Sequence, residues 1–243
     1  MTSAPVSIRP MGGILGGEIL AVDPSSPPEV TGTAVAHALA EYGLLVCQEG
    51  MISREAEAKL LGLFTADAEF HCAASGGLAP ARFAGNMDPA WRSDRPAILF
   101  LRAVQLPPGG GESIWSSLQA AYRSLSVPMR RYLAPLHAGH GRSGHAQVWR
   151  PLVAPHPVTG IACLDFSPDF TRSIAGVPEE EAQLILKLLC DHVYTPENQV
   201  RIPWREGMFV LWDVRIAHHY PVGGFAAAGW RLSALSAPRA PGA

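Results

Sequence analysis

Between Gly207 and Tyr220 the sequence runs Gly-Met-Phe-Val-Leu-Trp-Asp-Val-Arg-Ile-Ala-His-His-Tyr, and an arginine follows at Trp230-Arg231. An apolar stretch of strand length thus delivers histidine at its far end, and Arg231 returns on the next strand-like segment. In a β-barrel, such a histidine can point inward and bind a divalent metal through a ring nitrogen. The arginine can hold a carboxylate with its two-pronged guanidinium. A histidine pair alone is more often structural; the returning arginine and the Trp-Asp-x-Arg lead-in shift the balance toward chemistry.

The elements that must position these groups are short. Val6 to Pro10 and Gly17 to Val22 have strand composition around a glycine-rich turn. Thr33 to Tyr42 has helical spacing and stops at Gly43, and Leu44 to Cys47 is a buried strand. Ser53 caps a second helix with acids in its first turn and Leu60, Leu61 and Phe64 on its apolar face. The pattern weakens from Ala73 to Arg95. It resumes with a strand over Ile98 to Leu106, β structure at Ser113-Ile-Trp115, a short helix over Leu118 to Leu125, and a strand over Ile161 to Phe166. Pro178 opens the strongest helix, with Leu184, Leu188 and Leu189 expected inward. Strands at Arg201 to Trp204, Phe209 to Asp213 and Trp230 to Ser236 complete a mainly β fold with flanking helices, a barrel or sandwich.

Composition narrows the function classes. The length fits one domain spanning 1–243, and 48% hydrophobic residues supply a sizeable core. A net charge of −2 provides no field to attract nucleic acid or an anionic membrane. Cys47, Cys72, Cys163 and Cys190 are scattered in apolar surroundings, so they are expected to be buried small hydrophobes. With no apolar leader and no membrane-length run, the expectation is a cytoplasmic protein.

Several segments, in order, resemble the taurine dioxygenase-like (TauD/TfdA) family of Fe(II)- and 2-oxoglutarate-dependent oxygenases. They are Ile8-Arg-Pro-Met-Gly-Gly, Tyr42-Gly-Leu-Leu-Val-Cys-Gln, Leu106-Pro-Pro-Gly-Gly-Gly-Glu-Ser-Ile-Trp115, His156-Pro-Val-Thr-Gly160, Phe170-Thr-Arg172 and Trp212-Asp-Val-Arg-Ile-Ala-His-His-Tyr220. The similarity runs from about Val6 to Ser236 and implies a double-stranded β-helix, or jelly roll. It also implies that His219 is the distal iron-binding histidine, that Arg231 binds the distal carboxylate of 2-oxoglutarate, and that Ser113 assists that arginine.

The other half of the metal site departs from the family. The family places a His-x-Asp/Glu pair just before the strand that begins here near Ile98. In one register Trp91-Arg-Ser-Asp94 stands in that place, so the histidine has become Arg92 and Asp94 is the carboxylate. In the other, Asn86-Met-Asp88 stands there; its likeness to an element that precedes the iron motif favours the first register. Either way the proximal histidine is absent. Arg92 stays protonated and cannot be a ligand, and Asn86 offers only a neutral carbonyl. Arg150 and Ala154 stand where relatives carry histidine and arginine. Leu235 replaces the second arginine of sulfonate-using relatives, so taurine itself is not the expected substrate.

Two functions follow. The first is an Fe(II)/2-oxoglutarate-dependent dioxygenase-family protein acting on a small metabolite with an altered metal site. Asp94 (or Asp88) and His219 would hold iron, and Arg231 and Ser113 would hold 2-oxoglutarate. The second is a catalytically silent relative that binds an anionic small molecule or supports an active partner subunit, with Arg92, Arg150 and Arg231 making a cationic pocket. Such barrels often pair, so a homo-oligomer is compatible with both. His137, His140 and His145 are expected to be structural, His37 and His192 ordinary boundary residues, and His71-Cys72 a weaker candidate for the missing ligand.

Overall fold

The computed structural model describes residues 4–23, 25–62, 66–72, 90–106, 108, 111–142, 146–222 and 229–235, the stretches 66–72 and 229–235 by their backbone course. Asn86, Asp88 and His145 therefore lie outside the described residues.

Strands β1 (Val6–Pro10) and β2 (Gly17–Val22) form an antiparallel pair. Helix α1 (Pro28–Tyr42) starts five residues earlier than its apolar spacing suggests, because Pro28 sits in the first turn, where a missing N–H costs nothing. It ends at Gly43, whose φ of +72° and N–H bond to the Leu39 carbonyl close the last turn. A Cβ there would fall 2.5 Å from Leu15 Cδ2 and 2.8 Å from Ile216 Cγ2, so only glycine fits. The wholly buried β3 (Leu44–Cys47) follows, then α2 (Arg54–Gly62), where Ser53 Oγ accepts the Ala56 N–H at 3.1 Å. Leu60 is buried as expected; the side chains of Leu61 and Phe64 lie outside the described set.

The chain continues through β4 (Ala66–Cys72), β5 (Ile98–Gln105), β6 (Glu112–Ser117), α3 (Leu118–Ser124) and α4 (Val127–Leu133). Next come β7 (His137–His140), β8 (Val148–Pro151), β9 (Val153–Pro155), β10 (Ala162–Leu164) and β11 (Thr171–Ile174). Helix α5 (Glu179–Val193), β12 (Gln199–Pro203), β13 (Phe209–Asp213), β14 (Ala217–Val222) and β15 (Gly229–Leu235) complete it. The main sheet has the order β1-β2-β3-β13-β5-β15-β4, and a second sheet has the order β12-β6-β14. Two smaller sheets have the orders β11-β7-β8 and β10-β9. The architecture is mainly β with flanking helices, a jelly roll.

Period-two alternation divides the main sheet between two cores. Leu99, Leu101 and Ala103 of β5 with Val210 and Trp212 of β13 face the second sheet, where they meet Trp115, Ile202 and Ala217. Ile98, Phe100, Phe209 and Leu211 face the other way, against α1 and α2. Each fully buried aliphatic side chain, such as Leu101 or Val210, contributes about 1.5–3 kcal/mol. A third cluster packs α3 and α5 on the small sheets.

Helix α5 corrects one expectation. Leu184 is 71% exposed and Leu188 is also exposed, whereas Ala182, Leu186, Leu189 and Val193 form the inner face. The helix is apolar on more than one side, so spacing alone does not choose the buried stripe. Cys47 and Cys163 are buried and Cys190 is half-buried. Burial pushes the Cys47 and Cys163 thiols up to about 12, which makes them core fillers rather than ready thiolates.

Candidate functional site

Strand β14 pairs with β6, setting His219 opposite Trp115 and His218 opposite Ser116. The ring of His219 is buried between the indoles of Trp115 and Trp212, with centroids 4.6 and 5.5 Å away. Its Nε2 lies 2.8 Å from Ser113 Oγ. The same hydroxyl oxygen accepts the Trp204 indole N–H at 2.8 Å. An indole nitrogen can only donate, so the Ser113 oxygen keeps one lone pair and its proton for His219 Nε2, and the tautomer of the ring sets which of the two groups donates.

Ser113 is thus joined to the candidate metal histidine. Position 231 lies elsewhere in the register: Arg231 pairs with Arg102, whose guanidinium bonds Glu57 on α2. The positions of β15 opposite the interior-facing Ala103 and Leu101 are Trp230 and Leu232. The backbone register therefore does not align position 231 with the face of β5 that meets the His219 core.

The structure also does not bring Asp94 to His219. Its side chain is 72% exposed and accepts both prongs of Arg92, Nε to Oδ1 at 3.0 Å and Nη2 to Oδ2 at 2.6 Å. That hydrogen-bonded guanidinium holds the Asp94 carboxyl below its usual range. A neighbour one position on takes the inner place. Arg95 lines a cavity of about 20 Å3 together with Ala90, Phe166, Ser167, His218 and His219. That space suits about one water-sized group.

Asp165, from the segment after β10, anchors this wall. It accepts from Arg95 Nη1 at 2.7 Å and Arg150 Nε at 2.8 Å, with His140 Nε2 at 3.9 Å. Arg150 also donates to the carbonyls of Ala90 (2.6 Å) and Arg92 (3.4 Å), while the Arg142 guanidinium lies 4.4 Å over the Trp91 ring. Burial pushes the Asp165 carboxyl up, but the two arginines outweigh it and the net shift is downward. His140 bonds Thr171 Oγ1 through Nδ1 at 3.1 Å; His137 is exposed, so these two histidines do not converge.

A second buried carboxylate joins two of the sequence segments. Asp213 accepts from Arg215 and contacts His156 Nε2 at 3.1 Å, and its backbone N–H bonds the carbonyl of Gly43. Burial raises its carboxyl, while the hydrogen bonds from Arg215 and His156 bring it below its usual value.

Among the described side chains the metal half of the site is incomplete. No group of three or more His, Cys, Asp or Glu residues able to hold a metal occurs among the described residues. His219 Nε2 is engaged by Ser113, and the Arg95 guanidinium lines the same small cavity. Sequence reasoning singled out His219, Ser113, Arg92 and Arg150 but missed Arg95, Asp165 and Trp204. The usable signal was Arg95 directly after the altered motif; nothing in the sequence pairs it with a residue 70 positions away.

Comparison with known proteins follows the same outline. The family described as "Taurine catabolism dioxygenase TauD, TfdA family" matches residues 7–233. Alpha-ketoglutarate-dependent dioxygenase cnsP of Penicillium expansum is 31% identical over 184 residues, 63% of this chain and 50% of its own length. The chain spans about half the length, or less, of the curated relatives it matches. A taurine dioxygenase structure from Burkholderia xenovorans superposes with a TM-score of 0.76 at 25% identity, covering 96% of this chain and 91% of that one. The fold alone is shared with AAD-2, solved with Mn(II) and N-oxalylglycine, at a TM-score of 0.80 and 22% identity over 99% and 98% of the two chains. Among the described residues no helix is long and apolar enough to cross a membrane. The jelly roll, the buried histidine of β14 and the match across nearly the whole chain lead to one conclusion: this chain belongs to the TauD/TfdA dioxygenase family.

Proposed function

We propose that this chain is a metal-deficient member of its family, a cytoplasmic protein that binds a small anionic metabolite in the barrel without oxygenating it. The observation that carries the reading is that Arg95 lines the wall beside His219 while Asp94 is exposed and paired with Arg92. A two-histidine, one-carboxylate face needs an anion there, and a fixed positive charge repels a divalent cation. Ser113 on His219 Nε2 supports the same reading, since that nitrogen faces a hydroxyl at 2.8 Å where a ligand nitrogen would face the metal. The net charge of −2, with Arg95 in the pocket wall and Arg150 on the same carboxylate, favours a small acid over nucleic acid. Relatives named as taurine and sulfonate dioxygenases make small carboxylates and sulfonates the first ligands to try.

The test is anaerobic reconstitution with Fe(II), elemental analysis, and an assay for succinate formed from 2-oxoglutarate. The same protein is then screened by thermal shift against 2-oxoglutarate, succinate and short alkyl sulfonates. The expected result is substoichiometric iron, no succinate, and stabilisation by at least one small acid. Stoichiometric iron with succinate release would sink the proposal. It would establish instead the second reading, a dioxygenase with an altered iron site acting on a small metabolite. One observation favours that alternative: His219 is buried beside Trp115 and Trp212 in the barrel core, and Asp88 belongs to a stretch outside the described residues.

A further inference from the structure

We infer that the cavity beside His219 is a binding site for one monoanionic group of about water's size, a halide or a single carboxylate of a small acid. The inference rests on the proposed metal-deficient reading and names the chemistry of its ligand. Three observations carry it.

The first is charge. Arg95 and Arg150 are permanently protonated and share one carboxylate, Asp165, so this cluster carries one excess positive charge among the described groups. The side chains of the three residues are 18%, 19% and 10% exposed, so water screens the excess only in part. The second is the wall. Its polar side chains are the Arg95 guanidinium, the Ser167 hydroxyl and the rings of His218 and His219, and no carboxylate lines it among the described residues. Arg95 spends one N–H on Asp165 at 2.7 Å, and its guanidinium has five. The third is size. About 20 Å3 bounded by Phe166, Leu118 and Trp212 admits one compact group and turns away a whole dicarboxylate unless the wall moves.

Crystals of the protein grown without halide and soaked in sodium bromide test the inference by anomalous scattering. A bromide peak between Arg95, Ser167 and His219 is expected. In solution, bromide and formate should each stabilise the protein, and mutual displacement would show one site serving both sources. Arg95→Gln should weaken bromide about tenfold or more, because a charged donor is lost. Arg95→Lys keeps the charge and should retain most of the affinity. Since Arg95→Gln leaves Asp165 with Arg150 as a one-to-one pair, the variant is expected to fold. An empty cavity at saturating bromide, or a peak whose affinity ignores Arg95→Gln, overturns the inference. If that happens in protein that also takes up no iron, the metal-deficient reading stands; iron loading removes the reading itself.

Discussion

The hydroxyl of Ser113 lies 2.8 Å from Nε2 of His219 and, on its other side, 2.8 Å from the indole nitrogen of Trp204. One buried oxygen therefore ties the histidine within β14 to the residue that follows β12. Both partners are buried, so the bonds are not exchanged for bonds to water when they break. Ser113→Ala is expected to destabilise the protein by about 1–3 kcal/mol, the cost of leaving a buried polar partner without this bond. Urea unfolding at neutral pH measures it, and an unchanged midpoint would show that the bridge contributes nothing.

Arg92→His rebuilds a His-x-Asp sequence at positions 92–94 without rebuilding a site. Position 94 is exposed and stands outside the cavity that holds His219 and Arg95. The variant is expected to take up no more Co(II) or Fe(II) than its parent, measured by elemental analysis after removal of loosely held metal. One equivalent of tightly held metal would place Asp94 among the ligands.

What the sequence made legible was local or periodic. The alternation of β13, with Val210 and Trp212 on one face and Phe209 and Leu211 on the other, follows from apolar composition and period two. Gly43 and Ser53 announced the end of one helix and the start of the next. His219 and Ser113 were found through ordered segments, and the absence of a histidine at 92 was plain. The partners were not. Asp165 meets Arg95 across 70 positions and Ser113 meets Trp204 across 91, and pairing at that range is set by sheet registration. The register of Arg231 with Arg102 has the same origin: a one-residue shift in a strand exchanges its two faces, and an irregularity does occur between Gly229 and Trp230.

The two buried carboxylates set the response to acid. Asp165 and Asp213 both have folded-state values below the unfolded value of 3.8, because their arginine partners outweigh burial. A depressed carboxyl contributes stability that is fully present above the unfolded value and is lost as pH falls through the folded one. Stability from these groups should hold above about pH 5 and decline as the pH drops below 3.8. Asp165→Asn should flatten part of that acid limb while lowering stability at neutral pH. Thermal unfolding of parent and variant between pH 3 and 7, on the order of one-unit steps, reads both effects. Parallel curves would mean that Asp165 titrates alike in both states.

Arg150 clamps the altered motif from outside. Its Nη2 reaches the Ala90 carbonyl at 2.6 Å, its Nη1 the Arg92 carbonyl at 3.4 Å, and its Nε the Asp165 carboxylate at 2.8 Å. Lysine has one flexible ammonium and cannot reproduce three divergent bonds from a planar fork. Arg150→Lys should therefore loosen residues 90–95 more than it unfolds the barrel, whose inner core of Leu101, Val210 and Trp212 it does not touch. Trypsin reports the difference, since Arg92 is a cleavage site within the clamped segment, whereas the Arg95–Pro96 bond resists the enzyme. The expected outcome is faster cleavage after Arg92 in the variant at a temperature where parent and variant are both folded by near-ultraviolet circular dichroism. Equal cleavage rates would show that the segment is held by something other than Arg150, with Arg142 over Trp91 the next group to replace.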